Sequence, residues 1–287
     1  MITLQNDQIQ IKVKPLGAEL CSIFHKSNQL EYMWQAGSDW PKHSPLLFPI
    51  VGQLKDNYFK YKGQKFVLPR HGFAREKNFS LIEQGPNRLV FKLTQDEETL
   101  KVYPFHFNLE VEYALRDDTV VITYVVENTN AENLYFSIGA HPAFKVPLLE
   151  NENYTDYKLV FENEVTAATW PLDNGLVMEN SKSILEKKNE LHLTKELFAK
   201  DALVFKNFES KSIQIKNKNH SHGLKFNLND APYLGLWAAK NADFICIEPW
   251  YGIADSVNAN QEIISKEGII ALAPNDEFTY TYSIQVF

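Results

Sequence analysis

Hydrophobicity in this chain repeats at every second residue, and that period limits what the chain can fold into. In Gln8–Lys14, Ile9, Ile11 and Val13 share one face while Gln8, Gln10, Lys12 and Lys14 share the other. From Phe105 to Leu115, Phe105, Phe107, Leu109, Val111, Tyr113 and Leu115 alternate with residues that are mostly polar. At the C-terminal end, Phe278, Tyr280, Tyr282, Ile284 and Val286 alternate with Thr279, Thr281, Ser283 and Gln285. Side chains alternate sides along a strand, so each pattern predicts a strand with one face in a core. Thr119–Val126 is apolar on both faces and reads as an interior strand. Arg116-Asp117-Asp118 before it is a turn, so this region forms a hairpin. The 19 Phe and 13 Tyr favour the same pleated surfaces. Helical spacing is scarce, the best case being Thr194–Lys200 with Thr194 as cap. The polar segment Asn174–Glu190 reads as a surface excursion. Strands never alternate with helices and no linker divides the chain. The expected fold is therefore all-β, one large antiparallel β-sandwich over residues 1–287.

Charge and motif content remove several classes of function. With 29 basic against 36 acidic residues and no basic block, the chain suits neither nucleic acid nor an anionic membrane. No run approaches the roughly 18 apolar residues of a membrane span, and Met1–Leu20 lacks the apolar centre of a signal peptide. Cys21 and Cys246 are the two cysteines, without a paired motif, which points to a reducing, cytoplasmic setting. No two glycines are separated by a single residue, so dinucleotide fingerprints are absent, as are the phosphate-binding, nucleophile-elbow and zinc-helix motifs. His220 and His222 have the spacing of one strand face, but Asn217–Gly223 is a polar turn in which two solvated imidazoles need no metal. With no heptad or long apolar helix, no obligate partner is expected, and monomer and homodimer both remain open.

Three segments carry chemistry. The first is Phe48-Pro49-Ile50-Val51-Gly52 with Leu68-Pro69-Arg70-His71-Gly72-Phe73-Ala74-Arg75. Its His-Gly pair after proline implies a sharp bend that presents an imidazole between two guanidiniums, donors suited to a polyhydroxyl or anionic ligand. The second, Phe136–Phe144, ends an apolar stretch with His141, held extended by Pro142. The third, Phe244–Asp255, sets Glu248 between four apolar residues and Pro249-Trp250-Tyr251. A carboxylate in such surroundings is paired or functional, and desolvation raises its pKa towards general-base range.

Taken together and in this order, these motifs resemble the aldose 1-epimerase (galactose mutarotase-like) family. The branch with the lactose-operon epimerase-like proteins and the hexose-6-phosphate mutarotases is the nearest. Pro-Arg-His-Gly-Phe-Ala-Arg at 69–75, Gly-Ala-His-Pro-Ala-Phe at 139–144 and Ile-Glu-Pro-Trp at 247–250 carry the resemblance, which spans the whole chain. It implies a β-supersandwich that interconverts the α and β anomers of an aldose without a cofactor or metal. It also implies that His141 is the catalytic acid, Glu248 the catalytic base and His71 an active-site histidine. Arg75 matches a substrate-binding arginine of the hexose-phosphate branch, and Arg70 stands where that branch often has glutamine. Where that branch has Arg-Gly-Gly, this chain has Lys42-His43-Ser44-Pro45; where the galactose branch has Gly-Arg, it has Gly52-Gln53. The ligand is thus a hexose or a hexose phosphate, with a neutral hexose favoured.

In mutarotation one group takes the C1 hydroxyl proton while another gives a proton to the ring oxygen. The reading assigns these steps to Glu248 as carboxylate and His141 as imidazolium, with Trp250 and Trp237 as walls. Two alternatives remain at this level. A non-catalytic sugar-binding or sensing protein would keep the aromatics and arginines without needing both acid and base. A glycoside hydrolase would need a second carboxylate, for which Asp255 is the candidate.

Overall fold

The computed structural model describes residues 1–287 and is built from strands: 51% of residues against 8% in helices of any kind. A nine-stranded sheet runs in the order Lys182–His192, Tyr157–Thr169, Ser212–Asn217, Gly223–Asn227, Glu277–Val286, Thr119–Asn128, Phe107–Arg116, Arg88–Thr94, Ser80–Gln84. A second sheet orders Leu203–Lys206, Tyr233–Trp237, Phe244–Tyr251, Ile138–Ala140 and Leu46–Leu47, with Ala143–Lys145 also pairing the central strand. Every pairing in both sheets is antiparallel. Rings from the two sheets meet between them, Phe144 against Phe226 at 5.9 Å and Tyr251 against Tyr280 at 4.8 Å. The antiparallel sandwich expected from the period-two patterns is what forms.

Ile9, Ile11 and Val13 are buried and the residues between them are not. Phe107–Arg116 and Thr119–Asn128 form the hairpin, with Asp117 at a positive φ of 53° in its turn. The second of these strands is interior to its sheet, but Val121 and Val125 on its outer face are only half-buried, so it is not covered on both sides. Thr194 caps nothing: Lys195–Phe198 is a 3₁₀ turn without a side-chain cap. The one α-helix is Glu97–Val102, held by Asp96 accepting from the Thr99 N–H while Thr99 Oγ1 accepts from the Asp96 N–H.

The segment Asn174–Glu190 is mostly exposed, as its polarity suggested, but it is not an irregular loop. It begins in the hairpin Leu172–Asp173/Leu176–Val177, whose Val177 N–H bonds the Asp255 carbonyl, and continues into the edge strand of the large sheet. His220 is not a solvated imidazole either: its Nε2 lies 2.8 Å from Glu152 Oε1, in a half-buried pair. No helix is long and apolar enough to cross a membrane.

Candidate active site

The central strand of the smaller sheet sets up the site. All residues from Phe244 to Trp250 are buried, so both faces of this strand are covered. Alternation turns Ile245 and Ile247 one way and Phe244, Cys246, Glu248 and Trp250 the other. Glycines on the flanking strands make room on the second face. Gly139 and Gly235 stand on either side of Trp250, and a Cβ on them would come within 2.5 Å and 2.4 Å of the indole. The indole lies in the slot these two glycines leave.

The loop after Leu68 presses against this sheet. Phe73 and Ala74 N–H groups both donate to the Phe48 carbonyl, and a Cβ on Gly72 would lie 2.3 Å from that oxygen. His71 and Gly52 bond reciprocally: His71 N–H to Gly52 O at 2.9 Å, and Gly52 N–H to His71 Nδ1 at 3.1 Å. Because Nδ1 accepts, the proton of the neutral ring is on Nε2, which leaves His71 as a donor. Burial holds its pKa well below the usual histidine range, assisted by His141 and the two arginines. The bend anticipated from His-Gly is present, with His71 at φ 69°.

A cavity of ≈ 240 Å³ opens over these elements. Arg70, His71, Arg75, His141, Trp237, Glu248 and Trp250, the seven residues picked out from the sequence, all line it. His141 Nε2 and Glu248 Oε2 are 3.3 Å apart, not aligned as a hydrogen bond, and Glu248 Oε2 and His141 Nδ1 have no partner elsewhere in the protein. Glu248 is 1% exposed, and desolvation raises its pKa well above the carboxylate range, with Arg70 opposing. Desolvation likewise lowers His141 to about 3. Burial thus favours an uncharged resting pair, whereas the sequence suggested carboxylate and imidazolium. Depth inside the cavity makes the difference: isolated charges are costly there.

Two further lining residues carried no motif. Trp40 stacks on His141, ring centroids 5.0 Å apart and planes at 25°, and meets Trp237 edge-on. Asp201 lies 3.8 Å from Arg70 and faces the cavity beside Ala202 and Val204. Leu172, Gly175 and Val177 close the wall above. Arg75 donates to the Arg70 carbonyl at 2.9 Å and lies 3.7 Å from Glu76, so each guanidinium already has an acidic neighbour. Asp255 does not line this cavity. It is buried in an ion pair with Lys266 at 3.0 Å, which removes it as the second carboxylate of a hydrolase.

Residues 1–285 match the family model described as aldose 1-epimerase. Over 297 aligned positions the chain is 33% identical to the plasmid-encoded protein LacX of Lactococcus lactis subsp. lactis, covering 99% of each. Its fold superposes on a galactose mutarotase related enzyme from Lactobacillus acidophilus with a TM-score of 0.96, at 32% identity over 100% of this chain and 97% of that one. A galactose mutarotase-like protein from Lactobacillus casei gives 0.94 at 27% identity, with both chains covered completely. With its whole length matched and the motif residues gathered around one cavity, the chain belongs to the aldose 1-epimerase family.

Proposed function

We propose that this protein is a mutarotase for a neutral hexose pyranose, with His141 and Glu248 as the proton-transfer pair. One observation carries the reading: an imidazole and a carboxyl group, both buried and otherwise unpartnered, meet 3.3 Å apart at the cavity. At ≈ 240 Å³ the cavity is below the roughly 300–1,000 Å³ of sites for drug-sized ligands, which limits its occupant to about one sugar ring.

Burial favours one shared proton on the pair, and moving it from Glu248 to His141 produces carboxylate and imidazolium without changing the net charge. Such a step is penalised far less than making an isolated buried ion. Glu248 then takes the C1 hydroxyl proton, the C1–O5 bond breaks as the aldehyde forms, and His141 protonates O5. Rotation about C1–C2 and the reverse transfers close the ring on the opposite face. Each proton transfer is worth about 10²–10⁴ in rate. His71, with Nε2–H as its donor, polarises the ring oxygen or an adjacent hydroxyl. Trp40, Trp237 and Trp250 pack on the C–H faces of the sugar, and Arg70, Arg75 and Asp201 bind hydroxyls.

The neutral substrate follows from charge. Both guanidiniums have an acidic neighbour within 3.8 Å, so a phosphate would compete with Asp201 and Glu76 for them. Polarimetry with glucose, galactose and their 6-phosphates tests the whole reading. Faster anomeric equilibration of a free hexose is expected. Binding without acceleration would leave a sugar-binding protein, and a preference for the phosphates would reverse the substrate assignment.

A further inference from the structure

Cys246 has no part in this reaction, yet it shares a strand face with Glu248 two residues on and is fully buried. Its Sγ, one imidazole nitrogen of His141 and one carboxylate oxygen of Glu248 all lie within 4.8 Å of one another. In a tetrahedral zinc site, bonds of about 2.0–2.3 Å place neighbouring ligand atoms roughly 3.3–3.7 Å apart. The His141–Glu248 separation of 3.3 Å already meets that spacing, and the thiol needs to move by no more than about 1.5 Å, within reach of a rotamer adjustment. Glu248 Oε2, buried and without a hydrogen-bond partner, is a vacant donor on this triangle.

We propose that His141, Cys246 and Glu248 form a binding site for a soft divalent cation, zinc above all, and that its occupancy blocks the sugar site. That such a cation inhibits rests on the mutarotase reading; that it binds does not. On binding, metal–sulfur, metal–nitrogen and metal–oxygen bonds form, while the thiol proton and the proton shared by His141 and Glu248 leave to solvent. Thiolate and carboxylate then neutralise the dication, so the filled site carries no net charge into the interior. His141 and Glu248 line the cavity, so the fourth position of the metal faces the sugar space. The free His141 Nδ1 lacks the second hydrogen bond that strengthens most histidine–metal bonds, which suits a reversible inhibitor more than a resident ion.

The molecule supplies its own control. Glu19, Cys21 and His43 satisfy the same proximity. There, however, Glu19 Oε1 accepts the His43 and Ser44 N–H groups, and Oε2 pairs with the Lys14 ammonium. A cation at that cluster must first displace a cation.

Chelator-treated protein titrated with cobalt(II) should develop tetrahedral ligand-field and thiolate charge-transfer bands at one equivalent. The bands should persist in Cys21→Ser and vanish in Cys246→Ser. Glu248→Gln should weaken cobalt by at least the roughly 10–100-fold that even outer-shell changes cost, which provides a second reading if Cys246→Ser does not fold. In polarimetry, zinc should compete with sugar for the wild type, with Cys246→Ser at least about tenfold less sensitive. No bands in the wild type, or bands lost in Cys21→Ser and kept in Cys246→Ser, overturn the site. Bands in a protein without mutarotase activity refute the catalytic reading and leave the metal site standing.

Discussion

Glu248 and Asp255 are seven positions apart and almost equally buried, at 1% and 4% exposure, but their surroundings are opposite. Asp255 is fully satisfied: Oδ1 pairs with Lys266 Nζ at 3.0 Å and Oδ2 accepts the Lys55 N–H at 2.9 Å. Lys266 in turn donates to the Ile253 carbonyl at 2.5 Å. Glu248 forms no ion pair with a permanently charged group: its Oε2 faces the His141 imidazole without a hydrogen bond, and the Arg70 charge only partly offsets its desolvation. A buried carboxylate that is fully paired ties a loop down. One left without partners keeps its proton affinity for a ligand, at a cost in stability. The contrast separates a structural acid from a reactive one on a single stretch of chain.

Replacing each acid by its amide should therefore give opposite results. Glu248→Gln is expected to lower kcat by about 10²–10⁴ while folding normally. Asp255→Asn is expected to lose about 3–5 kcal/mol of stability, because it leaves the buried Lys266 ammonium uncompensated. Its folded fraction should keep most of its activity. Polarimetry beside denaturant melts of both variants checks the pair of outcomes, and similar profiles for the two would erase the distinction.

That distinction was partly legible from the order of residues. Glu248 among apolar neighbours, His141 before proline and His71 before glycine are each odd enough to notice, and all three meet at the cavity. The sandwich was legible because half-buried strands print their burial as alternation. Trp40, Asp201 and the Leu172–Val177 hairpin were not, since they reach the cavity from loops whose local sequence has no period. Asp201 is one of 36 acidic residues, and only its approach to Arg70 marks it out. The satisfied state of Asp255 depends on Lys266, eleven residues on and beyond any local pattern. The six-residue helix Glu97–Val102 escaped because it is too short to show helical spacing. The direction in which burial pushes the His141–Glu248 pair, towards the uncharged forms, follows from depth, which no local window measures.

A smaller effect probes the slot that positions the reactive strand. Gly235 sits opposite Glu248, and an added methyl would meet the Trp250 ring at 2.4 Å. Gly235→Ala is expected to cost about 1–3 kcal/mol by overpacking and to raise KM as the indole shifts into the sugar space. The same substitution at Gly63, with nothing within 4 Å, meets no neighbour; its cost comes only from its φ of +76°. Melting both variants and measuring KM separates crowding from backbone strain.

The last expected effect is a slope, small over any single pH unit. In chelator-treated protein, Glu248 gains proton affinity on folding and His141 loses it, to about 3. A carboxyl raised in the folded state contributes stability that is present below the unfolded pKa and lost as pH rises. A histidine lowered in the folded state contributes stability that is present above about 6.5 and lost as pH falls towards 3. Between about pH 4.5 and 6.5 the pair holds one proton when folded and, on the unfolded side, histidine holds one, so the two contributions cancel. Glu248→Gln removes one of them. Its stability relative to wild type should then fall by about 1.4 kcal/mol for each pH unit below 6.5. Above that pH the difference keeps the same slope: the variant's stability levels off while the wild type's declines, because only the wild type releases a proton from its buried carboxyl on unfolding. Urea melts of both proteins from pH 4.5 to 8 read the difference directly. Parallel stability curves would mean that Glu248 is already ionised in the folded protein and His141 already charged or solvated, and Glu248 would then be a satisfied acid like Asp255.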